Sequence, residues 1–427
     1  MLDIKFIREN VDTVKKGLAA KRVSIDLDGL LKLDQRRRDI LTQLDDLRNQ
    51  QNKANDEISR LLKEKKDTKS KIAAMKTVSD RIGQLEPEVK EIEKKLDALL
   101  INIPNIPHPS VPVGDAKDNK IVRHGGEPKK FSFKPKTHIE LGESLDIIDF
   151  KRAAKITGSN FILFKKEGAR LERALFNFML DLHTREHGYI EVFPPFLVNR
   201  ISMTGTGQLP KMEEDMYRLK DDDLFLIPTA EVPVTNIYRD EILREEDLPL
   251  YYTAYTACFR REAGSYGKET KGLVRVHQFD KVELVKFVKP EKSYEELEAL
   301  VANAEKVLQC LGLPYRVVML ATGDLSFASS KCYDLEAYAS GLDKWLEVSS
   351  CSNFEDFQAR RTNIHFKGKK TPKATFVHTL NGSGVALART VVALLEQYQT
   401  ENGEVVIPQV LQPYMGGLKK ISNTLSK

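Results

Sequence analysis

The chain has 427 residues, 41% hydrophobic and 30% charged, with 67 basic against 62 acidic side chains and a formal net charge of +5. That length suffices for two or three domains and at least one large core, while so small a net charge does not by itself announce a nucleic-acid binder. No run of about 18 apolar residues occurs, and the start MLDIKFIREN alternates charge with single apolar residues, so neither signal peptide nor membrane span is expected and a cytoplasmic location follows. Cys258, Cys310, Cys332 and Cys351 are scattered, without a C-x-x-C pair or a histidine at metal-ligand spacing, which predicts free thiols and no zinc.

From Leu30 the apolar residues keep a seven-residue beat through Leu33, Ile40, Leu44, Leu47, Ala54, Ile58 and Leu61, with Arg37 and Gln51 as polar exceptions. A second beat runs Met75, Val78, Ile82, Leu85, Val89, Ile92, Leu96 and Leu99, and between the two lies the polar KEKKDTKSK. The pattern predicts a long antiparallel helical hairpin over about 28–100. Pro87 inside the second beat predicts a kink, or a new helix with Pro87 in its first turn. INIPNIPHPSVPVG then forbids helix and reads as a semi-rigid linker, with a domain boundary near 104–105.

Beyond that boundary, helical periodicity is clear at 168–187 and 293–311. Strand patterns fall at 190–198, 252–262, 272–288, 315–322, 332–339 and 344–351. Several strands are adjacent in sequence, which favours an α+β fold with an antiparallel sheet and helices on one side.

Three stretches carry candidate chemistry. In CFRREAGSYGKETKGLVRVHQFDKVEL at 258–284, strand alternation places Arg275, His277, Phe279, Lys281 and Glu283 on one face and Val274, Val276, Val282 and Leu284 on the other, with Arg260 and Glu262 on the first arm. A solvated face with cross-strand ion pairs is the plain reading; a ring left among charges instead suits stacking on a flat base. LNGSGVALARTVVALLEQYQ at 380–399 reads as a short apolar run, two glycines and a helix. It lacks the G-K-[ST] of a phosphate loop and has Leu387 in the third glycine position of G-x-G-x-x-G. KWLEVSSCSN, preceded by YDLEAYA, embeds Glu347 and Glu336 among apolar neighbours, where either Mg²⁺ or an arginine is a reasonable partner.

Together these stretches resemble the three signature motifs of class II aminoacyl-tRNA synthetases, and the match narrows to seryl-tRNA synthetases of the bacterial and organellar type. GYIEVFPPFLV at 188–198 resembles motif 1, a long strand ending in Pro195 that builds a dimer interface. Residues 256–287 are similar to motif 2 and 380–399 to motif 3, while IPTAEVP at 227–233 looks like the serine-binding loop. The resemblance implies a class II antiparallel sheet core at 105–427, and an N-terminal tRNA-binding domain at 1–104 with a coiled-coil arm. It implies a homodimer that activates L-serine with ATP and Mg²⁺ and charges tRNA(Ser), with tRNA(Sec) as a further substrate.

Residue by residue, the resemblance assigns Arg260 to the α-phosphate, Glu262 to adenine, Phe279 to stacking on it, and Arg275 and Arg389 to the outer phosphates. Glu347 and Ser350 would hold Mg²⁺, with Val348 and Ser349 lining the ATP site and Arg261 and Val276 beside it. Thr229 and Glu231, with Ala230 between them, would take the α-amino group of serine, and Glu283, with Asn381 and Ser383, its hydroxyl. Arg260, Arg389 and Glu347 are the expected catalytic groups. Residues 60–76 carry seven basic side chains (Arg60, Lys63, Lys65, Lys66, Lys69, Lys71 and Lys76) against two acidic ones; all but Lys76 are the expected tRNA contacts. The competing readings are a non-catalytic RNA-binding paralogue, which should have lost some of these residues, and an amino-acid:carrier-protein ligase, which should lack the arm.

Overall fold

The computed structural model describes residues 1–263, 272–368 and 373–423. The charged loop of the 258–284 hairpin, and the expectation that it orders only with ATP and the tRNA acceptor end, lie outside the described residues. The chain divides into two compact units, Met1–Pro104 and Asn105–Lys427.

In the first unit, two short helices, α1 (Ile4–Glu9) and α2 (Val11–Ala20), precede α3 (Leu27–Lys63) and α4 (Lys69–Leu100). At 1.5 Å per residue the 37 residues of α3 extend about 55 Å. Leu30, Ile40 and Leu44 of α3 and Leu85, Val89, Ile92 and Leu96 of α4 are buried, as the beat predicts. The seam departs from it at the end of α4, where Leu100 rather than Leu99 is buried, and in α3, where Asp34, not Leu33, is the buried residue and Arg8, Arg38 and Arg37 donate to its carboxylate at 2.8, 3.2 and 3.4 Å. Pro87 does not start a new helix; α4 runs through it. One missing N–H and a crowded carbonyl at residue 83 are the local cost, and residue 83 is a glycine with open space where a Cβ would stand.

The second unit is built on an eight-stranded sheet of β1 (Lys120–Gly125), β2 (Ile190–Glu191), β3 (Leu250–Phe259), β4 (Gln278–Val288), β5 (Tyr315–Met319), β6 (Lys331–Ala339), β7 (Lys344–Asn353) and β8 (His378–Ala386). Their order is β1-β5-β6-β7-β8-β4-β3-β2, antiparallel throughout except for the β2–β3 pair. Helices Lys166–Arg185, Ser293–Leu311 and Leu387–Gln397 bury Leu175, Met179, Leu300, Val307, Val391 and Leu395 in one core with Val282, Leu284 and Leu335 of the sheet. Among the described residues, no helix is long and apolar enough to cross a membrane.

Three expected elements come out differently. The strand at 190–198 is reduced to Ile190–Glu191, followed after Pro194 and Pro195 by a separate short strand Leu197–Asn199, because two consecutive prolines supply no N–H to a ladder. The strand expected over 272–288 begins only at Gln278. The run at 380–386, read only as apolar residues and two glycines before a helix and not among the expected strands, belongs to sheet strand β8, and its glycines admit close neighbours. A Cβ on Gly382 would stand 2.8 Å from Cys351 Sγ, and one on Gly384 2.6 Å from His183 Nε2.

Candidate active site

On the sheet face opposite the helical core, a cleft of about 560 Å³ is lined by β4, β7 and β8, by Arg260 and Glu262 just past the end of β3, and by the segments around 206–216 and 326–328. β4 supplies its floor. Phe279, Lys281 and Glu283 lie on one face by alternation, and β3 sets small side chains opposite them, Cys258 against Phe279, Thr256 against Lys281 and Ala254 against Glu283. That choice leaves the larger β4 groups room to project.

One end of the cleft holds a buried polar knot. Glu283 accepts from Thr229 Oγ1 at 3.1 Å, from Asn381 Nδ2 at 2.8 Å and from Lys281 Nζ at 2.5 Å, while Lys281 also donates to Thr229 Oγ1 at 2.8 Å. Glu283 itself sits just beneath the cleft surface, whereas Thr229, Glu231, Lys281, Asn381 and Ser383 line it. Burial and the nearby Glu283 push the Glu231 carboxyl up to about 7, opposed by a hydrogen bond from Gln358 and by Lys281 and Arg260.

The other end is aromatic and cationic. Arg260 lies over the Phe279 ring at 5.1 Å and donates from Nε to the Pro228 carbonyl at 3.2 Å. Arg275 pairs with Glu262 at 2.9 Å, and Glu262 holds a left-handed φ of 52°, a strained backbone that aims its carboxylate inward. Arg389 donates to the backbone carbonyls of Glu347 and Val274 and stands 3.4 Å from the Glu347 carboxylate.

Glu347 and Ser350 are three residues apart, so a regular strand would send them to opposite faces. The β6–β7 register shifts between Glu347 and Ser349, and that bulge turns Glu347, Val348 and Ser350 all toward the cleft. Beside them Asp334, opposite Ser350, is half-buried, and its desolvation with the nearby Glu347 raises its carboxyl well above the usual range. Among the described residues no group of three or more His, Cys, Asp and Glu side chains could hold a metal by itself.

Most expected site residues thus meet in one cleft, but not all. Ala230, Arg261 and Ser349 do not line it: Ala230 is buried in a separate apolar cluster, the Arg261 N–H donates to the Asp215 carbonyl, and Ser349 Oγ donates to the Ser383 carbonyl at 2.6 Å. His277 leaves the row assigned to it; its ring packs against Phe161 and its Nδ1 donates to the Arg260 carbonyl. Val274 and Val276, assigned to the opposite face, line the cleft with Arg275, because residues 272–277 are not strand and alternation does not apply.

Two residues escaped functional assignment in the sequence reading. Lys281 was in the β4 row but given no role, although a lysine two residues from a buried glutamate is a readable signal. Gln358 lies in a stretch with no motif, and only the fold brings it to Glu231.

The sequence and fold have clear relatives. Residues 1–107 match the seryl-tRNA synthetase N-terminal domain, and residues 214–398 the tRNA synthetase class II core domain (G, H, P, S and T). The chain is 57% identical over 417 residues to the serine–tRNA ligase of Carboxydothermus hydrogenoformans, covering 97% of this chain and 98% of the relative. Seryl-tRNA synthetase from Pyrococcus horikoshii, solved with ATP, superposes with a TM-score of 0.93 at 41% identity over 99% of this chain and 100% of that one. The cytoplasmic enzyme of Naegleria fowleri, solved with AMP, gives 0.90 at 29% identity, covering 99% of each. The chain belongs to the seryl-tRNA synthetase family, the ligases that join serine to tRNA.

Proposed function

We propose that the cleft binds ATP and L-serine side by side, forms seryl-adenylate with release of pyrophosphate, and passes the seryl group to tRNA(Ser). The observation that carries this reading is the pairing in one cleft of a base-stacking ring flanked by three arginines with a buried knot of two carboxylates, a lysine, a threonine and an asparagine. Phe279 offers the adenine a face, and Glu262 its edge. Arg260, Arg275 and Arg389 face the phosphates, with Arg260 stabilising the charge that builds on the α-phosphate as the serine carboxylate attacks.

Serine's ammonium goes to Glu231 and Thr229. Its hydroxyl donates to Glu283, which has about four acceptor positions as a carboxylate and uses three of them on Thr229, Lys281 and Asn381. Alanine leaves that last position unpaired in a buried site, which costs far more than a missing methylene. Threonine is excluded by fit. Glu347 and Ser350 are oxygen donors suited to Mg²⁺, which would neutralise phosphate charge and bring phosphate and water oxygens to complete its own shell.

The reading extends to a homodimer through the 188–198 segment, supported by the exposed Ile190 and Phe193, to cytoplasmic location, and to tRNA recognition by the arm. At its tip Arg60, Lys66 and Lys71 pair with Glu64 or Glu57, while Lys63, Lys65 and Lys69 project into solvent, a cationic end suited to RNA phosphates. Transfer to tRNA(Sec) belongs to the same proposal and is checked with that transcript. Serine-dependent ATP–pyrophosphate exchange should be strong, and alanine and threonine should be turned over at least about 10²-fold less efficiently. Equal exchange with alanine would remove Glu283 from the hydroxyl-reading role.

A further inference from the structure

We propose that Gln358 is a positioning residue for substrate selection: its side-chain amide fixes Glu231 so that this carboxylate meets the ammonium of serine at the cleft wall. The proposal rests on the assignment of Glu231 to that ammonium.

Gln358 is fully buried on the short helix Phe357–Thr362 and does not line the cleft. Its Nε2 donates to Glu231 Oε1 at 2.6 Å and to the Thr206 carbonyl at 3.3 Å, and its Oε1 accepts from Thr379 Oγ1 at 2.7 Å. A backbone carbonyl can only accept, so the amide nitrogen must face Thr206. Both of its hydrogens are then committed, and the side chain has one orientation. Thr206 belongs to the helix Arg200–Thr206, Thr379 to β8 and Glu231 to the serine-loop helix Glu231–Thr235, so one amide ties three elements together around the carboxylate.

The neutrality of the amide suits the task. A cation in its place would cancel the charge that the ammonium needs, and a carboxylate would add a third acid to Glu231 and Glu283. The ionisable groups facing Glu231 are Glu283 and Lys281 from β4 and Arg260 at the end of β3. Binding an ammonium requires ionised Glu231, so serine kcat/KM rises with pH as this group loses its proton. Removing the amide donor withdraws support from the ionised form and moves that limb to higher pH.

The test compares wild type, Gln358→Met, Gln358→Glu and Glu231→Gln in ATP–pyrophosphate exchange across neutrality, with thermal melting and ATP binding as checks on the fold. Gln358→Met keeps the bulk and removes the donor. It should raise serine KM by about tenfold or more at neutral pH, shift the acid limb upward and leave ATP KM unchanged. Gln358→Glu can donate while one proton is shared with Glu231, so its serine KM should lie nearest wild type at low pH and worsen as pH rises, the opposite trend to Gln358→Met. If Gln358→Met melts too early to assay, the trend of Gln358→Glu decides. Wild-type serine KM and an unmoved limb in the Gln358 variants, with serine KM still raised in Glu231→Gln, overturn the role of Gln358 and leave that of Glu231. Wild-type serine KM in Glu231→Gln overturns both.

Discussion

The N-terminal unit and the catalytic unit place charge in opposite ways. Along α3 and α4 most charged side chains stand in water, and the packing beneath them repeats every turn or two, so any one charge is nearly independent of the others. In the catalytic unit Glu231, Lys281, Glu283, Gln358 and Asn381 are withdrawn from water and satisfy one another, although 150 positions separate the first from the last. A solvated charge can be positioned by its own helix, whereas a buried one needs partners that arrive only when a whole sheet has assembled. Surface electrostatics should therefore be adjustable piecemeal, and the knot should fail as a unit.

The sharpest way to break this contrast is to delete residues 30–98. Charging of tRNA should be abolished while serine-dependent pyrophosphate exchange is largely kept, and loss of exchange in a folded deletion variant would show that the units do not divide the labour. Next in size is Arg260→Ala, which should lower kcat for exchange by about 10²–10³-fold through lost stabilisation of the transition state, with serine binding little altered. A fall of only a few fold would move that role to Arg275 or Arg389.

The smallest effect lies behind the sheet. Glu172 is buried on helix Lys166–Arg185, its Oε2 has no hydrogen-bond partner among the described residues, and burial with the nearby Asp280 pushes its carboxyl well above the usual range. A folded value above the unfolded one means that the stability it contributes is complete below about pH 4 and is lost as pH rises through the folded value. Glu172→Gln should therefore raise the melting temperature by about 2 °C or more near pH 8, with a smaller change near pH 5. Equal melting curves at both pH values would show that Glu172 finds a partner in solution.

Legibility in the sequence follows the same contrast. The hairpin is readable because its period is local, and its clearest surprise is Asp34, where three arginines make a buried acid tolerable in an apolar seam. The row Phe279, Lys281, Glu283 is readable because β4 is regular there, and the row ends at Gln278 because the preceding residues are not strand. β8 was hidden by its glycines, which signal a turn in isolation but here admit Cys351 and His183. The shared orientation of Glu347 and Ser350 depends on a bulge that strand periodicity cannot foresee, and resemblance alone joined them. Gln358 had no local signal at all.

One property of β4 reaches beyond its residues. Phe279 and Glu283 are four positions apart on one uninterrupted strand, so the stacking ring and the hydroxyl reader are about 13 Å apart along the backbone. Backbone geometry sets that interval, and no side-chain substitution can lengthen it. The strand acts as a ruler for the adenylate, gauging how far beyond the phosphate an amino acid extends. Enlarging the pocket at Thr229 or Ser383 would then widen the mark without moving it, and selectivity for larger amino acids would call for a change of strand register.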